Sequence, residues 1–384
     1  MEIKALVLLL ATTLSAVSAR PNWRELKNYT FDKFVSDFKL NYKVGTSEYE
    51  TRKNIFSAEL AKVIAHNEHR NGNSPQSGWK ENVNHMSAMT SAEKKALNGR
   101  SKTMSLGSSG KLGNAKKPTS GYRATAVKDL PTDVDWRTQS VATAVKDQGH
   151  CGSCWAFAST AVIESHVAIN SGLLFDLSAQ QVAACSPNPN ECGGSGNCNG
   201  ATAEIAFDYV AGASKGIVES YMYPYTEYFG EESGCNVPIR ASGKGHIDGF
   251  VQLEENNYDD LMNAVATEGP IAVSVDASTW HSYDSGIFDG CDQDKPDINH
   301  AVVLMGYGED NGQKYWLIRN SWSASFGEAG YIRVARTDSE ATRCGSDTTP
   351  CDGTACAGTC DQPVNVCGTC GMLYDSSYPT GATA

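Results

Sequence analysis

The chain has 384 residues, 40% of them hydrophobic, and a formal net charge of −12 at pH 7. That length leaves room for a large core in one or two domains. The acidic balance argues against a nucleic-acid binder, because such a surface repels phosphates.

Residues 1–19 carry Lys4, an apolar run from Ala5 to Leu10 and the small-residue ending Val17-Ser18-Ala19, which reads as a signal peptide. Thr12, Thr13 and Ser15 interrupt the run well short of the roughly 20 apolar residues that a membrane span needs, and no later stretch is long enough. A soluble protein of the secretory pathway is expected. Thirteen cysteines in such a chain predict a disulfide framework, and the odd count leaves at least one thiol over.

Residues 20–129 hold 20 Lys and Arg against 10 Asp and Glu, whereas residues 130–384 hold 11 against 33. Opposite charge on two joined segments favours their docking. Within 29–70, Phe31, Phe34, Phe38, Phe56, Leu60, Val63 and Ile64 recur at three- and four-residue steps, predicting an amphipathic helical module. Glu48 and Arg52 stand four apart, as an ion pair on one helix face requires. Gly99 to Lys128 is rich in Ser, Gly, Lys and Thr and reads as an exposed linker, with a maturation boundary near its end.

From Leu130 onward helices precede strands, the order of an α+β protein. Helices are predicted over 154–170 with Gly172 as C-cap, after a capping box of Ser178 and Gln181, and over Ala203 to Val210. Strands are predicted at Ile271 to Val275, Ala301 to Leu304, Tyr315 to Ile318 and Tyr331 to Val334. The acidic pairs Glu254-Glu255 and Asp259-Asp260 read as solvated surface.

Chemistry concentrates in Gln148-Gly149-His150-Cys151-Gly152-Ser153-Cys154-Trp155. A thiol at Cys154 opens a predicted helix, where the positive end of the dipole lowers its pKa. Such a nucleophile needs a base. His300 opens a predicted strand 146 residues downstream, and Asn320 follows in Trp316-Leu317-Ile318-Arg319-Asn320-Ser321-Trp322. Three other readings compete. A redox pair Cys151-x-x-Cys154 would sit in a βαβ pattern, which is missing; zinc on Cys151, Cys154, Cys367 and Cys370 is less favoured than disulfides in an oxidising compartment; a silent binding homologue would lack the nucleophile. No metal or other cofactor is expected.

These residues resemble the papain family of cysteine proteases, cathepsin L-like members in particular, over nearly the whole chain as far as Pro379. Glu48, Arg52, Phe56, Glu59, Val63 and Asn67 resemble the family's ERFNIN propeptide pattern with two changes. The resemblance implies a papain-like two-domain α+β fold: a helical left domain, a β-barrel right domain, the active-site cleft between them, and a helical propeptide. Residues 20–129 would be the inhibitory propeptide and 130–384 the peptidase domain, with a cysteine-rich insertion at 338–369. The implied activity is that of an endopeptidase made as a zymogen, working through a thioester acyl-enzyme. Cys154 would attack, His300 would serve as base and then acid, Asn320 would orient the imidazole under the shield of Trp322, and Gln148 would complete the oxyanion hole.

The same resemblance implies disulfides Cys151–Cys198, Cys185–Cys235 and Cys291–Cys370. Cys192, Cys344, Cys351, Cys356, Cys360 and Cys367 then remain with open connectivity, and Cys154 can be the free thiol. Ala203, Ser274, Ile298, Ala301 and Asp375 fall on the positions that line the S2 pocket, and the acid at Asp375 implies acceptance of Arg at P2. Ala201, Ser323 and Phe326 depart from the family pattern at the cleft. So do Asn82, Asn84, Met86 and Ala88 in a second propeptide motif, where the acid to which pH sensing is assigned is missing; the charge complement is expected to take over that role. Implied partners are polypeptide substrates, the chain's own propeptide and cystatin-like inhibitors, for a monomer in the lysosome, vacuole or extracellular space. His66, His69, His85, His166, His246 and His281 read as structural or surface residues, and His150 as lining the cleft.

Overall fold

The helices between residues 31 and 69 pack on a cluster of aromatic rings. The computed structural model describes residues 20–69, 78–99, 115–116, 125–213, 215–356, 360 and 362–384; the predicted signal peptide and most of the linker lie outside them. Helix α1 (Phe31–Asp37) begins at Thr30, whose Oγ1 accepts from the Lys33 N–H, and α2 (Ser47–His69) follows. The module expected over 29–70 is therefore two helices, separated where Lys39 turns left-handed (φ 54°). Phe31, Phe34, Phe56 and Val63 form the core, with the Phe34 and Phe56 rings stacked 4.5 Å apart. Arg52 forks onto the Glu93 carboxylate and reaches the Ala88 carbonyl at 3.1 Å, while Asn67 exchanges two hydrogen bonds with the main chain of Glu81. These bonds fasten the returning chain to α2. Helix α3 (Ser91–Leu97) then starts at a capping box of Thr90 and Glu93.

This unit docks on the rest of the chain through buried side chains, Trp79, Met86, Met89 and Leu97 sharing a core with Ile271, Trp280 and Ile332, and through hydrogen bonds around them. Lys80–Glu81 pairs antiparallel with Tyr283–Ser285, Asn82 Nδ2 donates to Asp284, and Asn84 Nδ2 donates to the His281 carbonyl at 2.7 Å. Among the described residues one ion pair, Arg20–Asp284 at 3.3 Å, crosses between the basic and acidic segments. The charge complement is thus largely diffuse.

In the body, helix α4 (Cys154–Ser171) is buried from Cys154 to Ala168 and stops at Gly172, whose φ of 71° is the left-handed cap. Helices α5 (Ala179–Cys185) and α6 (Ala203–Gly212) pack against it. Ser178 accepts from the Gln181 N–H at 3.0 Å, but the Gln181 side chain bonds Tyr209, Gly216 and Val218 instead of returning, so only half of the expected capping box forms.

The second lobe is a nine-stranded sheet built on His300–Asp310, Gln313–Arg319, Ile271–Val275, Tyr331–Ala335 and Asp375–Thr380. Val251 and Leu253 from one end of the strand order share a core with Ile332 and Val334 from the other, so the sheet is rolled. Helix α7 (Tyr258–Thr267) covers it, capped by Asn257. Asp259 and Asp260, expected as plain surface, lie in the first turn of α7, where carboxylates favour the helix dipole.

Six disulfides join Cys151 to Cys198, Cys185 to Cys235, Cys291 to Cys370, Cys344 to Cys367, Cys351 to Cys360 and Cys192 to Cys356. Cys154 takes part in none of them. Those pairings leave Cys151, Cys367 and Cys370 unable to bind zinc as thiolates and remove the Cys151–Cys154 redox pair. Within 338–369, the hairpin Cys344–Asp347 and Val364–Cys367 rests on the sheet lobe. Its tip crosses to the helical lobe, where the Gly193 N–H donates to the Ala355 carbonyl at 3.0 Å beside Cys192–Cys356. A covalent tie across 164 residues is expected to stabilise by about 2–4 kcal/mol. Thermal unfolding of Cys192→Ser/Cys356→Ser, made inactive by Cys154→Ala in both partners of the comparison, should therefore show a midpoint lower by about 5 °C or more. A change within 1 °C would mean that the tie carries no load.

Candidate active site

Helix α4 brings Cys154 to the junction of the lobes as its first residue, 3% exposed. Ser153 makes no side-chain cap, its hydroxyl being held by Tyr225 at 2.8 Å, so the positive helix end is left to the thiol. Across the junction the Ala301 N–H lies 3.5 Å from Cys154 Sγ, next to His300 at the start of its strand.

His300 Nε2 is 2.7 Å from Asn320 Oδ1. The Ser321 N–H donates to that same oxygen at 2.8 Å, which identifies it as the acceptor and makes Nε2 the protonated ring nitrogen of neutral His300. Nδ1 is then the basic atom. Trp322, 1% exposed, packs on the imidazole with centroids 4.7 Å apart, and Phe326 meets the indole edge-on at 5.2 Å. Ser323, expected to depart from the family pattern at the cleft, holds a left-handed φ of 70°. Gln148 is fully buried; Ser321 Oγ donates to its Oε1 at 2.6 Å, which turns Nε2 toward the cleft. That nitrogen donates to the Cys151 carbonyl at 2.9 Å and to the Leu97 carbonyl at 2.7 Å.

The cleft is thus filled by the chain's own residues at the end of α3. Gly99, expected to open an exposed linker, is instead buried against the nucleophile: a Cβ there would lie 3.0 Å from Cys154 Sγ. On its other side a Cβ at Gly200 would collide with the Gly99 carbonyl, so only glycine lets the main chain lie so close.

Three of the five residues expected to line S2, Asp375, Ser274 and Ala301, lie side by side. Asp375 pairs with Ser274, and Ser274 with Ala301, in one register row across three strands, which puts their side chains on one face. Ser274 Oγ donates to Asp375 Oδ2 at 2.6 Å and Gln252 Nε2 to Oδ1 at 3.4 Å. Burial first, and the charge of Glu204 second, push Asp375 up to about 8. Glu204, one residue after Ala203 on α6, accepts from Ser377 and was missed in the sequence, where a lone acid in an apolar helix carries no signal. Ser321 was missed as a separate partner although the Asn-Ser-Trp motif contains it. His281 was read as structural, yet its ring stacks on Trp322 with centroids 4.9 Å apart.

A helix-borne thiol beside an amide-ordered imidazole, with a side-chain donor held by a peptide carbonyl and the molecule's own chain laid across them, defines the precursor of a thiol-dependent hydrolase. Two family models match the chain: the papain family cysteine protease over residues 130–354 and the cathepsin propeptide inhibitor domain over residues 31–93. Ananain of Ananas comosus is 32% identical over 91% of this chain and 87% of its own length. Oryzain beta chain of Oryza sativa subsp. japonica is 33% identical over 88% of this chain, which spans 63% of that longer protein. The solved digestive procathepsin L 3 from Tenebrio molitor larval midgut superposes with a TM-score of 0.69 at 29% identity, covering 92% of this chain and 99% of that one. The chain belongs to the papain family of cysteine proteases, in its zymogen form, with the propeptide inhibiting the peptidase of the same molecule.

Proposed function

We propose that Cys154, His300, Asn320 and Gln148 are the groups that perform peptide hydrolysis. His300 Nδ1 takes the thiol proton, and the Cys154 thiolate attacks the scissile carbonyl carbon. Gln148 Nε2 and the Cys154 N–H stabilise the oxyanion; His300 returns the proton to the leaving amine, and water activated by the same nitrogen hydrolyses the thioester. The observation that carries this reading is the Leu97 carbonyl on Gln148 Nε2 at 2.7 Å, a peptide carbonyl already seated where the substrate's would go. Titration of the mature enzyme with an epoxide thiol reagent should consume one equivalent, on Cys154. Labelling elsewhere would refute the assignment.

Asp375 is proposed as the floor of S2, taking Arg beside apolar side chains. Its carboxyl is raised to about 8, so in acid it stands neutral, and pairing with guanidinium must first expel a proton. The ratio of kcat/KM for P2 Arg over P2 Leu peptides should therefore climb as pH rises from 5 to 8, by at most about tenfold per unit. In Asp375→Ala the ratio should be low and flat. A pH-independent wild-type ratio would remove Asp375 from P2 selection.

Six disulfides and the family's propeptide arrangement support passage through the secretory pathway, with the lysosome, vacuole or extracellular space as destination. Polypeptide substrates and cystatin-like inhibitors are the partners that an open cleft of this kind would admit once the propeptide has left, and a monomer suffices because one chain supplies every group. Residues 1–19 would be the signal peptide and the mature chain would begin near residue 130.

A further inference from the structure

Segment 347–356 of the cysteine-rich insertion runs from the sheet side of S2 to the helical lobe. At its start Asp347 Oδ2 accepts from the Ile298 N–H at 3.1 Å, and Thr349 Oγ1 donates to Asp297 at 3.2 Å. Further on, the Thr354 side chain is hydrogen-bonded to Tyr374, the residue before Asp375. At its far end the Gly193 N–H donates to the Ala355 carbonyl at 3.0 Å. A Cβ on Gly193 would collide with the Gly353 carbonyl and lie 3.0 Å from the Ala201 carbonyl carbon. The propeptide shows how this point stands to the nucleophile. A Cβ on Gly200 would meet both the carbonyl of Gly99, the residue buried against Cys154, and the carbonyl of Gly193. Main chain that passes Gln148, Cys154 and Gly200 therefore comes next to Ala201, Gly193 and the bridge seated on them.

We propose that this bridge walls the acyl side of the cleft just beyond S2 and selects substrates with a small residue at P3. The inference rests on the assignment of Cys154 as nucleophile and of the Asp375 row as S2. A substrate with its scissile carbonyl at Gln148 Nε2 and its P2 side chain toward Ala301 and Asp375 brings P3 against Gly353 to Ala355. The wall there has little room to yield. It is bonded to both lobes, joined covalently to the helical one by Cys192–Cys356, and closed on itself by Cys351–Cys360, with Pro350 buried between. Where it meets Gly193 the contact is main chain on main chain, so no side chain can swing aside to admit a larger group. Glycine or alanine at P3 fits beside such a wall. A large side chain must displace it, and a misfit of even one methylene in a shaped pocket costs about 10- to 200-fold in kcat/KM.

The test measures initial rates of the mature enzyme on amino-blocked peptides that share P1 and P2 and differ only at P3. Wild type should favour Gly or Ala over Phe or Trp at P3 by about tenfold or more in kcat/KM. In Cys192→Ser/Cys356→Ser, which frees the tip from the helical lobe, the Gly-over-Phe ratio should fall to about threefold or less, with kcat/KM on the P3 Gly peptide within about threefold of wild type. Cys351→Ser/Cys360→Ser loosens the tip and leaves both lobes intact; it should lower the ratio too, and it decides the matter if the first variant does not fold. Equal cleavage of P3 Gly and P3 Phe peptides by wild type overturns the wall. So does a folded tip variant that keeps the full wild-type ratio, which would leave the bridge as a tie between lobes and nothing more. Failure to cleave any of the peptides would instead overturn the catalytic assignment on which the wall depends, so the two readings fail by different results.

Discussion

Peptide hydrolysis by Cys154→Ala is expected to fall by at least about 10,000-fold in kcat/KM, and by a similar factor in His300→Ala, with the double variant no worse than either alone. The non-additivity is the informative part. Thiol and imidazole act as one unit: His300 Nε2 is committed to Asn320 Oδ1 at 2.7 Å, which makes Nδ1 the proton carrier, and without the thiol that carrier has nothing to activate. Steady-state kinetics on activated variants, folded by circular dichroism, would check it. Activity above 1% of wild type in Cys154→Ala would point to another nucleophile.

The second large effect belongs to Gln148, and it has two faces. Losing one oxyanion donor costs roughly 100- to 1,000-fold in kcat where such donors have been removed, so Gln148→Ala should lose that much with KM little changed. The same amide holds the Leu97 carbonyl of the propeptide at 2.7 Å, so the variant precursor should also label faster at Cys154 at neutral pH. Ser321→Ala, which frees Gln148 Oε1 but leaves its Nε2 in place, should show both effects in weaker form. A fall in kcat without faster labelling would mean that Leu97 is held by its helix and not by the donor.

Where residues sit in short contiguous patterns, the sequence was legible. Cys154 at a helix start, His300 at a strand start and Asn320 beyond it were readable because each is fixed by neighbours one or two positions away. The strand Ile271–Val275 emerged at its observed bounds because its five residues are all buried and bounded by glycine and proline on one side. What escaped depends on residues far apart in the chain. His281 acquires its environment from Asn84, Lys94 and Trp322, and Glu204 from Ser377, none of which a local pattern can join. Gly99 was read as linker because its composition is that of a linker; its burial comes from Gly152, Cys154 and Gly200. Helix α7 was lost for a local reason, since its acidic first turn and small apolar face look like loop until Asn257 is recognised as its cap.

The tie between Cys192 and Cys356 bears on survival as well as on melting. A protease is surrounded by copies of itself, and what a neighbour can cut is a molecule whose backbone has come loose. In a two-lobed enzyme the easiest loosening is the parting of the lobes, and this bond holds them together near the cleft without passing through the catalytic groups. Its effect should therefore appear as a longer working life at high enzyme concentration, set by how rarely the molecule opens far enough to become food for its neighbours.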